Sequence, residues 1–318
     1  MILTVTLNAA IDRTVAVPNF RLGHRHRAVE SRTVAGGKGV NVARAIGLLG
    51  RPVIATGFAG GPTGTRVLEQ LRKEDVLTHF TTIAGDTRIN LAVIDPTSGE
   101  QTEINERGPA VSPEEVERFV KRLAYLAGGA RICVLAGSLP PGAPEDLYAR
   151  LVNDLRERDV AVILDADGEP MLAGIRAGAS LVTPNELEAE ELVGQEFSGR
   201  DDVVHGLTEL LRLGAAEAAI TRPDGCVAVV GAGAERAFLE ATTRPLDPVS
   251  TVGSGDAYLA GYVAALYDGM EPRECLAYAV ACGAESTQHF GAGVIDRNQV
   301  ERLLDQVEVN DLEVHAEV

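Results

Sequence analysis

The motif that most clearly suggests a chemical function is a glycine-containing turn, Thr251-Val252-Gly253-Ser254-Gly255-Asp256. The small apolar residues of 257–267 follow it. Its glycines allow a tight turn, so that backbone N–H groups can converge at the start of the next helix and hold an anion. Asp256 stands at that start, where its charged form is stabilised and could accept a proton. Aspartate is also common there as a simple helix cap. The turn is not a dinucleotide fingerprint, because Tyr258 replaces the third glycine.

A second glycine-rich turn, Gly36-Gly37-Lys38-Gly39-Val40-Asn41, precedes another helical stretch. It lacks the GxxxxGK[ST] spacing of a Walker A loop, since Lys38 is embedded among the glycines. The glycines would let a ligand approach the backbone closely, while Lys38 and Asn41 supply a cation and an amide. The pattern fits a ligand site and a flexible turn alike.

Oxygen ligands cluster in a third segment, Asn185-Glu186-Leu187-Glu188, which opens an acidic helix after a short strand and Pro184. Asn185 and Glu188 are three residues apart and therefore lie on one face of the helix. Such hard oxygen ligands suit a hydrated Mg²⁺ beside phosphate groups. A helix N-cap with acidic residues in the first turn gives the same pattern, so both interpretations stay open.

Three further segments place polar groups near predicted strands. Two of them, Arg88-Ile89-Asn90 and Glu103-Ile104-Asn105-Glu106, supply a guanidinium, amides and carboxylates, although a surface arginine is usually only solvated. The third, Ser138-Leu139-Pro140-Pro141-Gly142, follows an apolar strand and forms a rigid turn that holds a hydroxyl at the sheet edge. Ligands of open α/β sheets bind at the carboxyl ends of the strands, which is where such residues are expected.

An alternation of strands and helices must position these segments. Apolar strands are predicted at 2–7, 52–57, 132–135, 160–165 and 181–183, and helices at 40–49, 67–73, 114–126, 144–158, 186–193, 203–213, 255–268 and 271–289. This pattern predicts an α/β fold with a doubly wound, mostly parallel sheet and helices on both faces. Residues 12–35 and 86–107 alternate polar with apolar side chains and predict a small separate β-sheet. No linker or repeat divides the chain, so we expect a single domain over 1–318, with the small sheet as a discontinuous insertion.

The composition limits the partners of the protein. Its 318 residues carry 29 Lys and Arg against 46 Asp and Glu, and the net charge of -17 argues against nucleic acid as a partner. No apolar stretch is long enough for a membrane span, and the first residues lack the pattern of a signal peptide. The four cysteines form no CxxC pair and lie in apolar stretches, so we expect buried, reduced thiols and a cytoplasmic location.

In their order along the chain, these motifs resemble those of the PfkB, or ribokinase-like, carbohydrate kinases. The resemblance covers essentially the whole chain and rests on Asn8-Ala9-Ala10-Ile11-Asp12 together with 36–41, 185–188 and 251–256. The segments 87–90, 102–105 and 138–142 further resemble the hexose-phosphate branch of that family. The resemblance implies a ribokinase-like fold in which the small β-sheet is a lid over the sugar.

The resemblance also implies a role for each matching residue. Asp256 would be the catalytic base, and the backbone amides of Gly253, Ser254 and Gly255 would form an anion hole for the transferring phosphoryl group. Sugar hydroxyls would be held by Asp12, Gly37 and Asn41. The phosphate already on the substrate would be bound by Lys38, Arg88 and Ser138, with Asn105 nearby.

ATP and Mg²⁺ are the cofactors that the resemblance implies. The residues expected to contact the nucleotide are Asn185, Thr221, Gly225, Gly253, Gly255, Ala279, Cys282 and Gly283. Asn185 and Glu188 would position Mg²⁺. The chain departs from the family at Thr221-Arg222-Pro223-Asp224-Gly225, where a Thr-Leu-Gly stretch is common, and this leaves the contacts around ATP open. The lid is expected to join two copies in a homodimer.

The implied activity is ATP-dependent phosphorylation of a hexose monophosphate to a bisphosphate. Activity as a 1-phosphofructokinase is the leading expectation, with tagatose-6-phosphate kinase and minor 6-phosphofructokinase as alternatives. A non-catalytic sugar-phosphate sensor on the same fold would be expected to have a damaged catalytic loop, whereas Gly253, Gly255 and Asp256 are all present. A nicotinamide oxidoreductase would need GxGxxG after the first strand, and the sequence has none there.

Overall fold

The computed structural model describes residues 1–244 and 246–313, and within these ranges the chain forms ten α-helices and fifteen β-strands. The strands are β1 (Ile2–Thr6), β2 (Ala10–Ala16), β3 (Glu30–Gly36), β4 (Val53–Gly60), β5 (Leu77–Thr78), β6 (Thr81–Ile83), β7 (Arg88–Ile94), β8 (Gln101–Asn105), β9 (Ile132–Ala136), β10 (Ala161–Asp165), β11 (Leu181–Val182), β12 (Glu217–Arg222), β13 (Gly225–Val230), β14 (Ala237–Thr242) and β15 (Glu308–Asp311). The helices are α1 (Lys38–Leu48), α2 (Gly61–Lys73), α3 (Pro113–Ala127), α4 (Leu147–Arg156), α5 (Gly168–Arg176), α6 (Glu186–Val193), α7 (Arg200–Leu213), α8 (Ser254–Asp268), α9 (Pro272–Ser286) and α10 (Arg297–Leu304).

The larger sheet has the strand order β15-β14-β13-β12-β11-β10-β9-β1-β4-β5, with β6 also paired to β4. Its central strands are parallel: β1 lies between β4 and β9, and β10 continues the series. The strands from β12 to β15 are antiparallel. Every residue of β1 and β9 is buried, as expected for strands that are covered on both faces. The predicted doubly wound, mostly parallel α/β fold is therefore confirmed.

Two hydrophobic clusters lie on opposite faces of this sheet. One combines Ile2 with apolar residues of α1, α8 and α9, and the other combines Leu3 and Val5 with apolar residues of α3, α4 and α7. Neighbouring residues of β1 belong to different clusters because successive side chains of a strand point to opposite faces. All four cysteines are free and buried, which confirms the expectation of core thiols.

The smaller sheet has the order β3-β2-β7-β8. Strand β2 pairs antiparallel with β3 and parallel with β7. Because β2 follows β1 after a short turn and β3 leads into α1, the smaller sheet is attached at the carboxyl end of the central strand. The predicted second sheet is thus present, and it brings Asp12, Arg88 and Asn105 to that end of the molecule.

The boundaries of some elements differ from the prediction. Helix α2 begins at Gly61, before the predicted start at residue 67, because Pro62 is tolerated in a first turn that needs no N–H donor there. Helix α5 was not predicted, since it contains Gly168, Pro170 and Gly174. Helix α3 begins as predicted, with a capping box between its N-cap serine and the third helical residue. Among the described residues, no helix combines the length and the apolar character required to cross a membrane.

Candidate active site

A cleft of about 1170 Å³ opens between the carboxyl ends of the central strands and the smaller sheet. Its position is the one where α/β sheets bind ligands, and its volume leaves room for two of them. It is lined by most of the residues that the sequence singled out: Asp12, Gly37, Lys38, Asn41, Arg88, Asn105, Ser138, Asn185, Glu188, Thr221, Gly225, Gly253, Ser254, Gly255, Asp256 and Gly283. Motifs far apart in the chain therefore meet in one cavity.

The N-terminus of α8 forms a cradle at the bottom of this cleft. Gly253 precedes the helix in the left-handed region, with a φ of 78°. A Cβ at this position would also lie 2.5 Å from the Cβ of Ala292, so only glycine fits. At Gly255 an added Cβ would meet no atom within 4 Å, which leaves the space above the helix start open. The first N–H groups of a helix have no partner within it, so this surface can bind an anion.

Asp256 lies in the first turn of α8 with 7% of its surface exposed, and it lines the cleft. Its Oδ2 accepts a hydrogen bond of 2.8 Å from Nδ2 of Asn41. Burial, and after it the nearby Asp165, raise the pKa of Asp256 to about 7 against the lowering effects of Asn41 and Lys38. Burial therefore outweighs the stabilisation of the charged form that a position at the helix start would supply. A carboxyl that titrates near neutral pH suits a proton acceptor.

The ammonium group of Lys38 is surrounded by carboxylates. Its Nζ lies 3.0 Å from Asp165, 3.5 Å from Asp167 and 3.6 Å from Glu188. Burial alone would lower the pKa of Lys38, but these three carboxylates raise it overall, so the side chain stays charged. Lys38 thus lies on the side of the cleft where α6 begins, and its predicted contact with the substrate's phosphate stays a prediction.

Asp12 projects from β2 on the opposite side of the cleft. Its Oδ1 accepts a hydrogen bond of 2.9 Å from Nδ2 of Asn90 on β7. Burial raises the pKa of Asp12, while Asn90 and Arg88 act against that increase. Asn105 on β8 is paired directly with Asn90 in the strand register. The smaller sheet therefore presents a carboxylate and two amides, which are groups that can bind sugar hydroxyls.

Arg88 and Ser138 are brought together at one end of the cleft by Asn8. The guanidinium of Arg88 donates hydrogen bonds to the backbone oxygens of Asn8, at 3.2 Å, and Glu106, at 2.7 Å. The side-chain amide of Asn8 donates to Oγ of Ser138 at 3.3 Å. A guanidinium and a hydroxyl can both donate hydrogen bonds to the oxygens of an anion such as phosphate.

Asn185 and Glu188 form the capping box of α6. Oδ1 of Asn185 accepts from the backbone N–H of Glu188, and Oε2 of Glu188 accepts from that of Asn185, both at 2.9 Å. The helix-cap interpretation of this motif is thus correct. Among residues 1–244 and 246–313, no group of three or more His, Cys, Asp or Glu side chains could hold a metal ion.

The opposite end of the cleft is formed by β12, the turn into β13 and one face of α9. Thr221 bridges to Asn185, and Gly225 and Gly283 also line the cavity. Ala279 and Cys282 are fully buried against Gly261 of α8 and are not among the residues that line the cleft, and their contact with the nucleotide stays a prediction. The helix presents Val280, Ala284 and Thr287 to the cleft instead, because residues spaced by three or four share a face.

The structure adds lining residues that the sequence did not assign, namely Asn8, Asn90, Asp165, Asp167 and Arg222. Arg222 is held by Glu240, whose Oε1 lies 2.7 Å from its Nη2. Asp165 ends an apolar strand, and that position was a usable signal for a site residue. Asn8 and Asn90 belong to motifs that the sequence analysis named, but their own roles depend on partners that are 99 and 78 residues away in the chain.

Comparisons with known proteins agree with this architecture. Residues 3–298 match the model of the pfkB family of carbohydrate kinases. The chain is 33% identical over 316 residues to 1-phosphofructokinase of Bacillus subtilis, covering 98% of this chain and 100% of the relative. It is 31% identical over 313 residues to that of Borreliella burgdorferi, covering 98% and 99%. A crystal structure of phosphofructokinase-2 from Escherichia coli in complex with substrates and products superposes with a TM-score of 0.89 at 28% identity, covering 96% and 98%.

Proposed function

The chain belongs to the pfkB family of carbohydrate kinases, and from that premise we propose that it phosphorylates fructose 1-phosphate with ATP. The observation that carries the choice of substrate is the similarity over 98% of the chain to two 1-phosphofructokinases. The cleft supports the chemistry, because it joins a carboxyl group, an anion cradle and a cationic subsite in one cavity. The activity is that of an ATP-dependent hexose-phosphate kinase.

Asp256 is the base of the proposed reaction. It accepts the proton of the acceptor hydroxyl, whose oxygen bonds to the γ-phosphorus while the bond from that phosphorus to the ADP oxygen breaks. The backbone N–H groups of Gly253, Ser254 and Gly255 hold the charge on the transferring group. Such a reaction depends on positioning and electrostatic stabilisation more than on a strong base, which agrees with a carboxyl of pKa about 7.

The sugar phosphate occupies the side of the cleft next to the smaller sheet. Arg88 and Ser138 bind the phosphate already on the substrate, with Lys38 and Asn105 at the border of that subsite. Asp12, Gly37 and Asn41 contact the hydroxyls. The support for this arrangement is that the Arg88 side chain is already fixed by two backbone oxygens, which lowers the entropic cost of binding an anion.

ATP occupies the other end, where Thr221, Gly225 and Gly283 line the cavity. A Mg²⁺ bound with ATP would neutralise part of the charge on its phosphates. Asn185 and Glu188 would face that ion through water, since their oxygens already cap α6. Without such an ion, the carboxylates that line the cleft would repel the phosphates of a nucleotide. Besides Asp256, seven carboxylates of the described residues line it: Asp12, Glu103, Asp165, Asp167, Glu186, Glu188 and Asp224.

The smaller sheet serves as the lid of the cleft and as the contact between two copies in a homodimer. The support is the exposed apolar side chains of this region: Ile104 on β8 is 57% exposed and Ile89 on β7 41%, and in the segment between β2 and β3 Leu22 is 89% exposed and Val29 70%. Large exposed apolar side chains that are grouped on one part of a molecule are typical of an interaction surface. A closed lid also excludes water, which competes with the sugar hydroxyl for the phosphoryl group.

The substrate is tested by measuring ADP release with fructose 1-phosphate, tagatose 6-phosphate, fructose 6-phosphate and unphosphorylated fructose. We expect the highest kcat/KM with fructose 1-phosphate. Turnover of only one of the other sugar phosphates would reassign the acceptor, and turnover of none of the four would refute the kinase. Asp256→Asn is the matched inactive variant, expected to lose at least roughly a thousandfold in kcat while it still binds ATP.

A further inference from the structure

Beyond these roles, we infer that Asn41 positions the catalytic base: its amide group fixes one oxygen of Asp256 and leaves the other oxygen to take the proton. The inference rests on the proposed function, in which Asp256 is the base. It assigns to Asn41 an action on the enzyme's own carboxyl that is separate from its predicted contact with the sugar. Asn41 is therefore a positioning residue for the reaction.

The geometry is set by two helix N-termini that meet in the cleft. Asn41 lies in the first turn of α1, where its backbone N–H donates to the oxygen of Gly37 at 2.9 Å. Asp256 lies in the first turn of α8. Both residues are buried, at 5% and 7% exposure, and the bond from Nδ2 of Asn41 to Oδ2 of Asp256 is 2.8 Å long. A buried bond between two helices has little freedom to move, so it restricts the rotation of the carboxyl group.

The surroundings of Asp256 make this bond important. Asp165 on β10 and Asp12 on β2 disfavour its charged form, and Lys38 on α1 favours it. Since Lys38 is itself shared with three other carboxylates, its charge is not reserved for the base. The side-chain amide of Asn41 donates a hydrogen bond directly to Asp256. Such a donor stabilises the carboxylate relative to the neutral acid.

The oxygen of the Asn41 side-chain amide supports a contact between this residue and the substrate. Oδ1 of Asn41 is buried and accepts no hydrogen bond from the described part of the chain. A buried acceptor without a partner is costly, so a ligand that fills the cleft is expected to supply a donor. A sugar hydroxyl beside the reacting one is such a donor. One side chain would then orient the base and the acceptor relative to each other.

The test compares three variants by the pH dependence of kcat/KM for fructose 1-phosphate. Asn41→Ala removes the donor, and Asn41→Asp keeps the shape but replaces the donor with an acceptor. In both, we expect the apparent pKa of the acidic limb to rise by about one unit and kcat at pH 7 to fall by roughly tenfold or more. Asn90→Ala is the control, because it removes a similar bond to Asp12 and should raise KM without moving that pKa.

An acidic limb that stays in place in both Asn41 variants, with only KM raised, would overturn the inference. A second measurement does not depend on turnover. It follows the free energy of unfolding against pH in a double-mutant cycle of the wild type, Asn41→Ala, Asp256→Asn and the double variant. We expect the titration assigned to Asp256 to move upward by about one unit when Asn41 is replaced. If the pKa of Asp256 does not change when Asn41 is replaced, the inference about Asn41 is refuted. A wild type without turnover would refute only the proposed function.

Discussion

A buried base reduces the stability of the ligand-free protein. Asp256 has a raised pKa in the fold, so its contribution to stability is fully present below the unfolded value of about 4 and is lost as the pH rises through about 7. Above that pH, the folded protein holds a charged carboxylate that burial and Asp165 disfavour. The position of the base is therefore maintained by the surrounding fold, against its own electrostatic preference.

We predict that Asp256→Asn is inactive and at the same time more stable than the wild type above pH 7. The amide keeps the shape of the side chain but carries no charge, and the difference should reach a few kcal/mol, at about 1.4 kcal/mol for each pKa unit. Urea unfolding of both proteins at pH 5 and pH 8.5 measures it. Stabilities that differ equally at the two pH values would contradict the raised pKa.

The type of each site residue was readable from the sequence, whereas its electrostatic state was not. The turn before Asp256 predicted both the helix start and a carboxyl at an anion cradle. Its pKa depends on Asp165 and Asp12, which come from other strands and are 91 or more positions away in the chain. The same holds for Lys38, whose three carboxylate partners lie far along the sequence. Such shifts arise only from tertiary contacts.

Helices α3 and α6 both begin with a capping box and allow a matched comparison. The capping box of α3 joins Ser112 and Glu115, and that of α6 joins Asn185 and Glu188. The first lies outside the residues that line the cleft, and the second is part of that lining. The stabilising contribution of the cap can thus be separated from any contribution to ligand binding.

We predict that Ser112→Ala and Asn185→Ala each lower the free energy of unfolding by about 1 kcal/mol, as expected for the loss of a cap. Only Asn185→Ala should also raise the KM for ATP and the Mg²⁺ concentration needed for half-maximal rate, by roughly tenfold. Urea denaturation and initial rates at varied ATP and Mg²⁺ check this. Equal kinetics in the two variants would leave Asn185 with a structural role alone.

The elements themselves were predicted best where their pattern was strong. Apolar strands such as β1 and β9, the capped helix α3 and the two glycine turns stood out in the sequence. The face of α9 that lines the cleft carries Val280 and Ala284 rather than Ala279 and Cys282, and the sequence did not indicate this because the helix is apolar on nearly every side. Periodicity cannot select a face in such a helix, and the selection comes from its packing against α8.

At the scale of the whole molecule, the net charge of -17 coexists with a cleft for two anionic ligands. Among the described residues, the basic side chains that line the cleft are Arg13, Lys38, Arg88, Arg222 and Arg244. Three of them are held in place: Lys38 is bonded to Asp165, Arg88 to backbone oxygens and Arg222 to Glu240. Backbone N–H groups at α8 add to the binding without changing the charge. Binding of the anions therefore depends on these local groups and not on the net charge of the chain.

The exposed apolar side chains of the smaller sheet lead to a prediction about assembly. Ile104 on β8 is 57% exposed, and Ile89 on β7 is 41% exposed. If two copies meet through this sheet, Ile104→Glu should place a charge in the contact and dissociate the dimer, because an unpaired buried charge is strongly unfavourable. Tyr125→Glu is the control, since Tyr125 on α3 is 80% exposed but lies outside the smaller sheet.

Sedimentation velocity of the two variants and the wild type, over a range of protein concentrations, measures this assembly. We expect the wild type and Tyr125→Glu to sediment as two chains and Ile104→Glu as one. Because we propose that the same sheet closes the cleft, the monomeric variant should also have a raised KM for the sugar phosphate. A wild type that stays monomeric at all concentrations would refute the dimer, and an Ile104→Glu dimer would move the contact to another surface.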